Sequence, residues 1–193
     1  PGARLVAVSN ILSEVLCSDS SRNMAADKIL DSWYRKNRYA GSKDRKNIAD
    51  SIFAILRYYF ILSNLNNLNL KRYNFSETYK MVLIYYVLIK YNYNFIIKIF
   101  EDGPYAPKMN EETKDCLNTI KNLSFSYSDL KNNYPEWLHN EFYITYKENY
   151  NMIYESLLET PSIDVRVTKS AIREKIFKKI FKIDHLAKKT VYS

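Results

Sequence analysis

Six basic side chains fall within the twelve residues from Arg35 to Lys46: Arg35, Lys36, Arg38, Lys43, Arg45 and Lys46, opposed only by Asp44. The chemistry such a run offers is electrostatic, because guanidinium and ammonium groups contact phosphate oxygens without reading sequence. The cluster straddles Gly41-Ser42 and the start of a helical pattern. A helix start is the positive end of the macrodipole and disfavours cations. A phosphate held among them would reverse that penalty, since the free N–H groups of the helix end point at the same anion. The competing reading is an ordinary solvated loop.

Other reactive side chains form no comparable constellation. His139 and His185 have no partner at metal-ligand spacing, so each reads as a packed or solvated histidine. Asp27 with Asp31, and Glu111 with Asp115, lie one helical turn apart, where carboxylates are ordinarily solvated rather than a general acid–base dyad. Cys17 and Cys116 lack CxxC spacing and read as free thiols in a reducing cytoplasm. GxGxxG, GxxxxGKS and GxSxG are absent, and three glycines leave little for a phosphate cradle. The expectation is a chain with no catalytic residue, no metal site and no cofactor site of its own. A second basic set, Lys169, Arg173, Lys175, Lys178, Lys179 and Lys182, follows helical spacing and has a solvated outer face as its simpler explanation.

The elements that position these residues follow from apolar periodicity. With 193 residues there is material for one sizeable core or a core with a small satellite domain. Leu5, Val8, Leu12, Val15 and Leu16 define a first helix; Ser20 or Ser21 caps a second, carrying Ala25, Ile29, Leu30 and Trp33. Ser42 is expected to cap a third, which runs unbroken through Ile48, Ile52, Ile55, Leu56, Tyr59 and Leu62 with Asp44 in its first turn. Ser76 caps a nearly all-apolar helix carrying Tyr79, Val82, Leu83, Tyr86 and Val87, expected at the centre of the bundle. A short helix covers Phe95 to Phe100, and Asn110 opens another through Leu117, Ile120 and Leu123. Pro135 suits the first position of a helix with Trp137, Leu138, Phe142 and Tyr146 inward, and a further helix covers Asn149 to Leu158. Alternating Ile163, Val165 and Val167 predict a strand near 163–168, and a basic helix follows at 171–181.

Charge is unevenly divided. Residues 1–100 hold 15 Lys+Arg against 7 Asp+Glu, residues 101–165 hold 5 against 12, and residues 166–193 hold 9 against 2. A basic face and a basic tail around an acidic block point to an anionic partner, most simply nucleic acid. The longest unbroken apolar run, Met81 to Ile89, is too short for a bilayer span. The opening PGARLVAVSNILSEVL shows no signal-peptide pattern, and the expected location is the cytoplasm.

Three stretches together resemble bacterial 16S ribosomal RNA cytosine-C5 methyltransferases of the Sun/Fmu type. In WYRKNRYAGSKDRKNIADSIFAILR the shared elements are Trp33, Arg38, Tyr39, Ala40, Gly41, Ser42, Asp44, Arg45, Leu56 and Arg57. YPEWLHNEF carries the Pro-x-Trp-Leu at Pro135, Trp137 and Leu138. IDVRVTKSAIREKIFKKI resembles the family's Leu-Arg-Val-Asn-x-x-Lys-x-x-Arg-Glu element at Val165, Arg166, Val167, Lys169, Arg173 and Glu174, with one residue fewer between the arginines and Thr168 in place of Asn. The resemblance implies a mainly α fold: a NusB-like helical RNA-binding domain over 1–125, a linker at 126–134, and a partial α/β, RNA-recognition-like domain over 135–193. It implies ribosomal RNA as partner, and the basic clusters make Arg35, Lys36, Arg38, Lys43, Arg45, Lys46, Lys169 and Arg173 the expected contacts. In that family S-adenosylmethionine and both reactive cysteines belong to a later domain supplied in cis, which Cys17 and Cys116 do not represent. Two alternatives stay open: a free-standing NusB-like factor in transcription antitermination or ribosome assembly, and a helical protein–protein scaffold with incidental basic residues. Oligomeric state is not legible.

Overall fold

The computed structural model describes residues 2–16, 24–65, 75–101, 107–123 and 133–162. Among them the fold is mainly helical and contains no strand, which bears out the expectation of a helical bundle. The expected strand at 163–168 and basic helix at 171–181 lie outside the described residues, as do Ser20, Ser21 and Cys17.

The helices are α1 (Gly2–Leu16), α2 (Ala26–Lys36), α3 (Ser42–Arg57), α4 (Tyr59–Leu65), α5 (Phe75–Tyr85), α6 (Tyr93–Glu101), α7 (Glu111–Lys121), α8 (Glu136–Tyr146) and α9 (Tyr150–Leu158). Helix α5 is the centre, as its apolar circumference predicts: Met81, Val82, Leu83 and Ile84 are fully buried, and α1, α3, α4 and α7 pack around it. From α1 come Leu5, Val8, Ile11 and Leu12, and from α3 Ile48, Ile52 and Ile55, one face of each helix at three- and four-residue spacing. Removing each such side chain from water is worth roughly 1.5–3 kcal/mol, so this face decides the packing. Where α1 crosses α5 the buried hydroxyls stay satisfied: Ser9 Oγ donates to the Leu5 carbonyl (3.0 Å) and Thr78 Oγ1 to that of Phe75 (3.0 Å).

Helix ends match the sequence only where a side chain makes the cap. Asn110 Oδ1 accepts from the Thr113 N–H at 2.8 Å and opens α7 as expected. Elsewhere the expected serines are displaced. The N-cap of α2 is Ala25, and that of α3 is Gly41, which puts Ser42 at the first helical position with no side-chain cap. Ser76 sits inside the first turn of α5, where its hydroxyl reaches across to Glu112 Oε1 of α7 (2.8 Å). That bond and Lys80 (3.3 Å) hold the exposed Glu112 carboxyl below its usual range.

The long third helix expected to run through Leu62 is broken. Helices α3 and α4 meet at 74° across Tyr58. In an unbroken helix the Ile61 N–H would donate to the Arg57 carbonyl. Here the buried Asn133 amide is inserted between them: its Nδ2 donates to Arg57 O (2.6 Å) and its Oδ1 accepts from Ile61 N (3.3 Å). The turn carries Ile61 out of the main core into a second one with Tyr154 and Leu158, flanked by Tyr58, Leu65, Tyr134, Phe142 and Tyr150. Helices α8 and α9, which fall within the expected small domain at 135–193, pack on α3 and α4. They belong with the bundle to one compact unit, Pro1–Thr160. On α8 the inner row is Leu138, His139 and Phe142, whereas Trp137 is 66% and Tyr146 41% exposed, which corrects their expected inward orientation. Trp137 precedes Leu138 by one residue and so points about 100° away from the row.

Two measurements test this packing. Asn133→Ala leaves the Arg57 carbonyl and Ile61 N–H buried without partners, and chemical denaturation should show a loss of about 2–4 kcal/mol. Asn133→Asp, which cannot donate to Arg57, should do no better at neutral pH. Burial pushes Tyr79, Tyr85 and Tyr86 up to about 12 from the ordinary 10. Groups raised in the folded state contribute stability that is whole below pH 10 and lost as pH climbs towards 12. Tyrosinate absorbance from these three rings should thus appear only near pH 12 or with unfolding; complete ionisation of the folded protein's tyrosines by pH 10 would contradict the core described.

Candidate nucleic-acid interface

The corner between α2 and α3 holds the whole first basic cluster. Arg35 and Lys36 form the last turn of α2, Arg38 lies in the connection, and Lys43, Arg45 and Lys46 fall in the first turns of α3. All are exposed except Arg45. Lys169 and Arg173 lie outside the described residues.

The connection is short because both of its ends are tied. Asn37 closes α2 with two bonds to the Trp33 carbonyl, one from its backbone N–H and one from its side-chain amide, both 2.9 Å. The Ala40 N–H donates to Asn37 O (3.1 Å), and Ala40 itself is buried. Two bonds then lock the helices: Tyr34 Oη donates to the Arg45 carbonyl (2.8 Å), and Arg45 Nε donates to the Ala40 carbonyl (2.8 Å). The Arg45 guanidinium also lies over the Tyr34 ring, 5.3 Å from its centroid. Burial raises the Tyr34 hydroxyl pKa, and the Arg45 charge opposes the shift. Arg45 is thus a structural tie between the two helices, with Tyr34 and Ala40 as its partners.

Asp44 pairs instead with Arg4 of α1 at 3.6 Å. The one carboxylate within the cluster is thereby engaged from behind. Among the described residues Lys36, Arg38, Lys43 and Lys46 make no ion pair, and Arg35 spends only its Nε, on the Asp31 backbone carbonyl (3.4 Å). Gly41 has extended backbone angles (φ −69°, ψ 169°) and nothing within 4 Å of where a Cβ would stand, so neither strain nor crowding demands glycine.

Several neighbours escaped the sequence reading. Arg4 and Tyr34 matter only through tertiary contacts. Tyr39, between Arg38 and Ala40, is 79% exposed, with its ring edge-on to Trp33 at 6.4 Å between centroids. Its signal was visible, an aromatic inside a basic run, but exposure was not. Further along α3, Lys90 reaches Asn47 Oδ1 (3.1 Å) and Ser51 Oγ (2.5 Å) while lying over the rings of Tyr86 and Tyr91. Burial lowers its pKa.

The remaining candidates are structural. His139 is half-buried, with Nδ1 2.6 Å from Tyr154 Oη. Glu111 pairs with Lys114 (2.7 Å), and Cys116 is a half-buried free thiol whose pKa burial raises. Among the described residues no three His, Cys, Asp or Glu are placed to hold a metal ion. No single described helix is long and apolar enough to cross a membrane, and α3 with α4, which together have the length, are sharply bent and bury Ile48, Ile52, Ile55 and Leu62 in the core. No family model, curated protein or solved structure matches the chain.

The lock makes a direct prediction. Arg45→Ala removes a charge-assisted hydrogen bond, orphans the Ala40 carbonyl and uncovers Tyr34, and should destabilise the fold by about 1–3 kcal/mol. A melting midpoint identical to that of the unaltered protein would show that Arg45 does not hold the corner.

Proposed function

We propose that the protein binds ribosomal RNA through the α2–α3 corner, with Arg35, Lys36, Arg38, Lys43 and Lys46 on phosphates and Arg45 fixing the surface that presents them. The observation that carries this reading is the charge arrangement. Exposed cations sit on a backbone tied at both ends, and the only nearby carboxylate in the run is taken by Arg4. Unpaired cations around a helix start repel one another and the macrodipole, and an RNA backbone relieves both.

The ribosomal target rests on the resemblance to Sun/Fmu-type methyltransferases. In that reading the helical bundle is NusB-like, a small α/β domain involving Lys169 and Arg173 adds to the RNA surface, and S-adenosylmethionine chemistry belongs to a domain outside these 193 residues. The helical unit then positions RNA in the cytoplasm for cytosine-C5 methylation and performs no chemistry itself. A second reading, a free-standing NusB-like RNA-binding factor, draws support from the packing of α8 and α9 into the same compact unit as the bundle.

Both readings require phosphate contacts at the same corner. The Lys43→Glu, Lys46→Glu double variant should melt with the unaltered protein, because both side chains are exposed. Its affinity for a 16S rRNA fragment should fall, and the slope of log affinity against log salt should shrink by about 0.7–0.9 for each phosphate no longer neutralised. Unchanged affinity and slope would remove the corner from any RNA interface and leave it a solvated loop.

A further inference from the structure

We infer that the α2–α3 corner takes its RNA as a single strand, with one unstacked base lying on the ring of Tyr39. The inference rests on the RNA-binding reading above and adds the form of the ligand.

A solitary exposed aromatic on a protein surface is unremarkable. Tyr39 is set apart by its company and its footing. At 79% it is the most exposed of the large apolar and aromatic side chains among the described residues, and its sequence neighbours at 35, 36, 38 and 43 are all cationic and exposed. No acidic residue occurs between Asp31 and Asp44. The ring is also held. Its edge contact with the half-buried Trp33 fixes one side, and the backbone beneath it is tied by Asn37 to Trp33 O and by Ala40 to Asn37 O. A pre-positioned aromatic face ringed by cations is the arrangement by which proteins hold single-stranded nucleic acid: the cations follow the backbone, and the ring stacks on a base without reading its identity. A duplex offers no such partner, because its bases are already stacked on one another and only phosphates are left for the cations.

The test uses the full chain, a short unstructured labelled RNA, and the same sequence as a blunt duplex, titrated by fluorescence anisotropy at several salt concentrations. The unaltered protein should prefer the single strand. Tyr39→Ala should lower single-strand affinity by about tenfold, leave duplex affinity within twofold and leave the salt slope unchanged, since every phosphate-binding cation is kept. Tyr39→Phe and Tyr39→Trp should retain the preference, because stacking needs the ring and not the hydroxyl. Melting curves on the alanine variant guard against unfolding, and the two aromatic variants test the idea even if alanine perturbs the loop. Equal weakening of single strand and duplex, or a single-strand affinity untouched by alanine, overturns the inference while RNA binding stands. In the second case the ring takes no part in RNA binding. Salt-independent or absent binding of both RNAs by the unaltered chain overturns the RNA reading itself, and the inference with it.

Discussion

One buried carboxamide governs the architecture. A continuous helix from Ser42 to Leu65 would close the Arg57–Ile61 backbone bond itself, whereas the broken one turns Ile61 onto α9. Breaking a helix frees backbone groups that must be satisfied if they are buried. Asn133 does so because an amide has the same donor and acceptor as the peptide group it replaces, and it enters a single hydrogen bond of the ladder. More than seventy residues separate it from its partners. The bend, the second core and the attachment of α8 and α9 are thus one event, fixed when the chain around residue 133 arrives.

That dependence explains which parts of the fold can be read from sequence. The buried faces of α1, α3, α5 and α7 follow from periodicity, because burial on one side of a regular helix imposes a repeat. The Asn110 cap is local and is found where expected. The break at Tyr58 has no local cause: neither proline nor glycine stands near it, and the residue responsible lies on another element. The inner face of α8 fails for a related reason. Its helix has no fully buried residue, so large aromatics occur on several sides, and Trp137 carries the eye one position off the true row. Serine is an ambiguous cap signal because it also bonds across helices, as Ser76 does to Glu112.

At the corner, the legible part was the charge and the illegible part was its bookkeeping. The density of Arg and Lys is plain in the sequence, and so is the lone Asp44. That Asp44 faces Arg4, and that Arg45 turns inward to Ala40 and Tyr34, depends on α1 and α2 being packed against α3. Tertiary structure sorts seven charged residues of one run into a supporting pair and an outward group, and only the outward group is free to meet a ligand.

A last feature bears on how chain length can vary here. After Tyr85 the helix opens into a single π-helical turn, Tyr86–Lys90, closed by the Tyr91 N–H on the Tyr86 carbonyl at 2.8 Å. Such a turn holds one residue more than a turn of the α-helix that precedes it. Deleting one residue there would let the turn close into regular α-helix, and if the residue lost were Tyr86 or Val87 it would take a buried side chain out of the core. Lys90, at the C-terminal end of the turn, reaches Asn47 and Ser51, and Ile96 and Ile99 of α6 rejoin the core beyond it. The π-turn is thus the place where this helix can shorten by one residue without disturbing α5, provided the residue lost is not one the core holds.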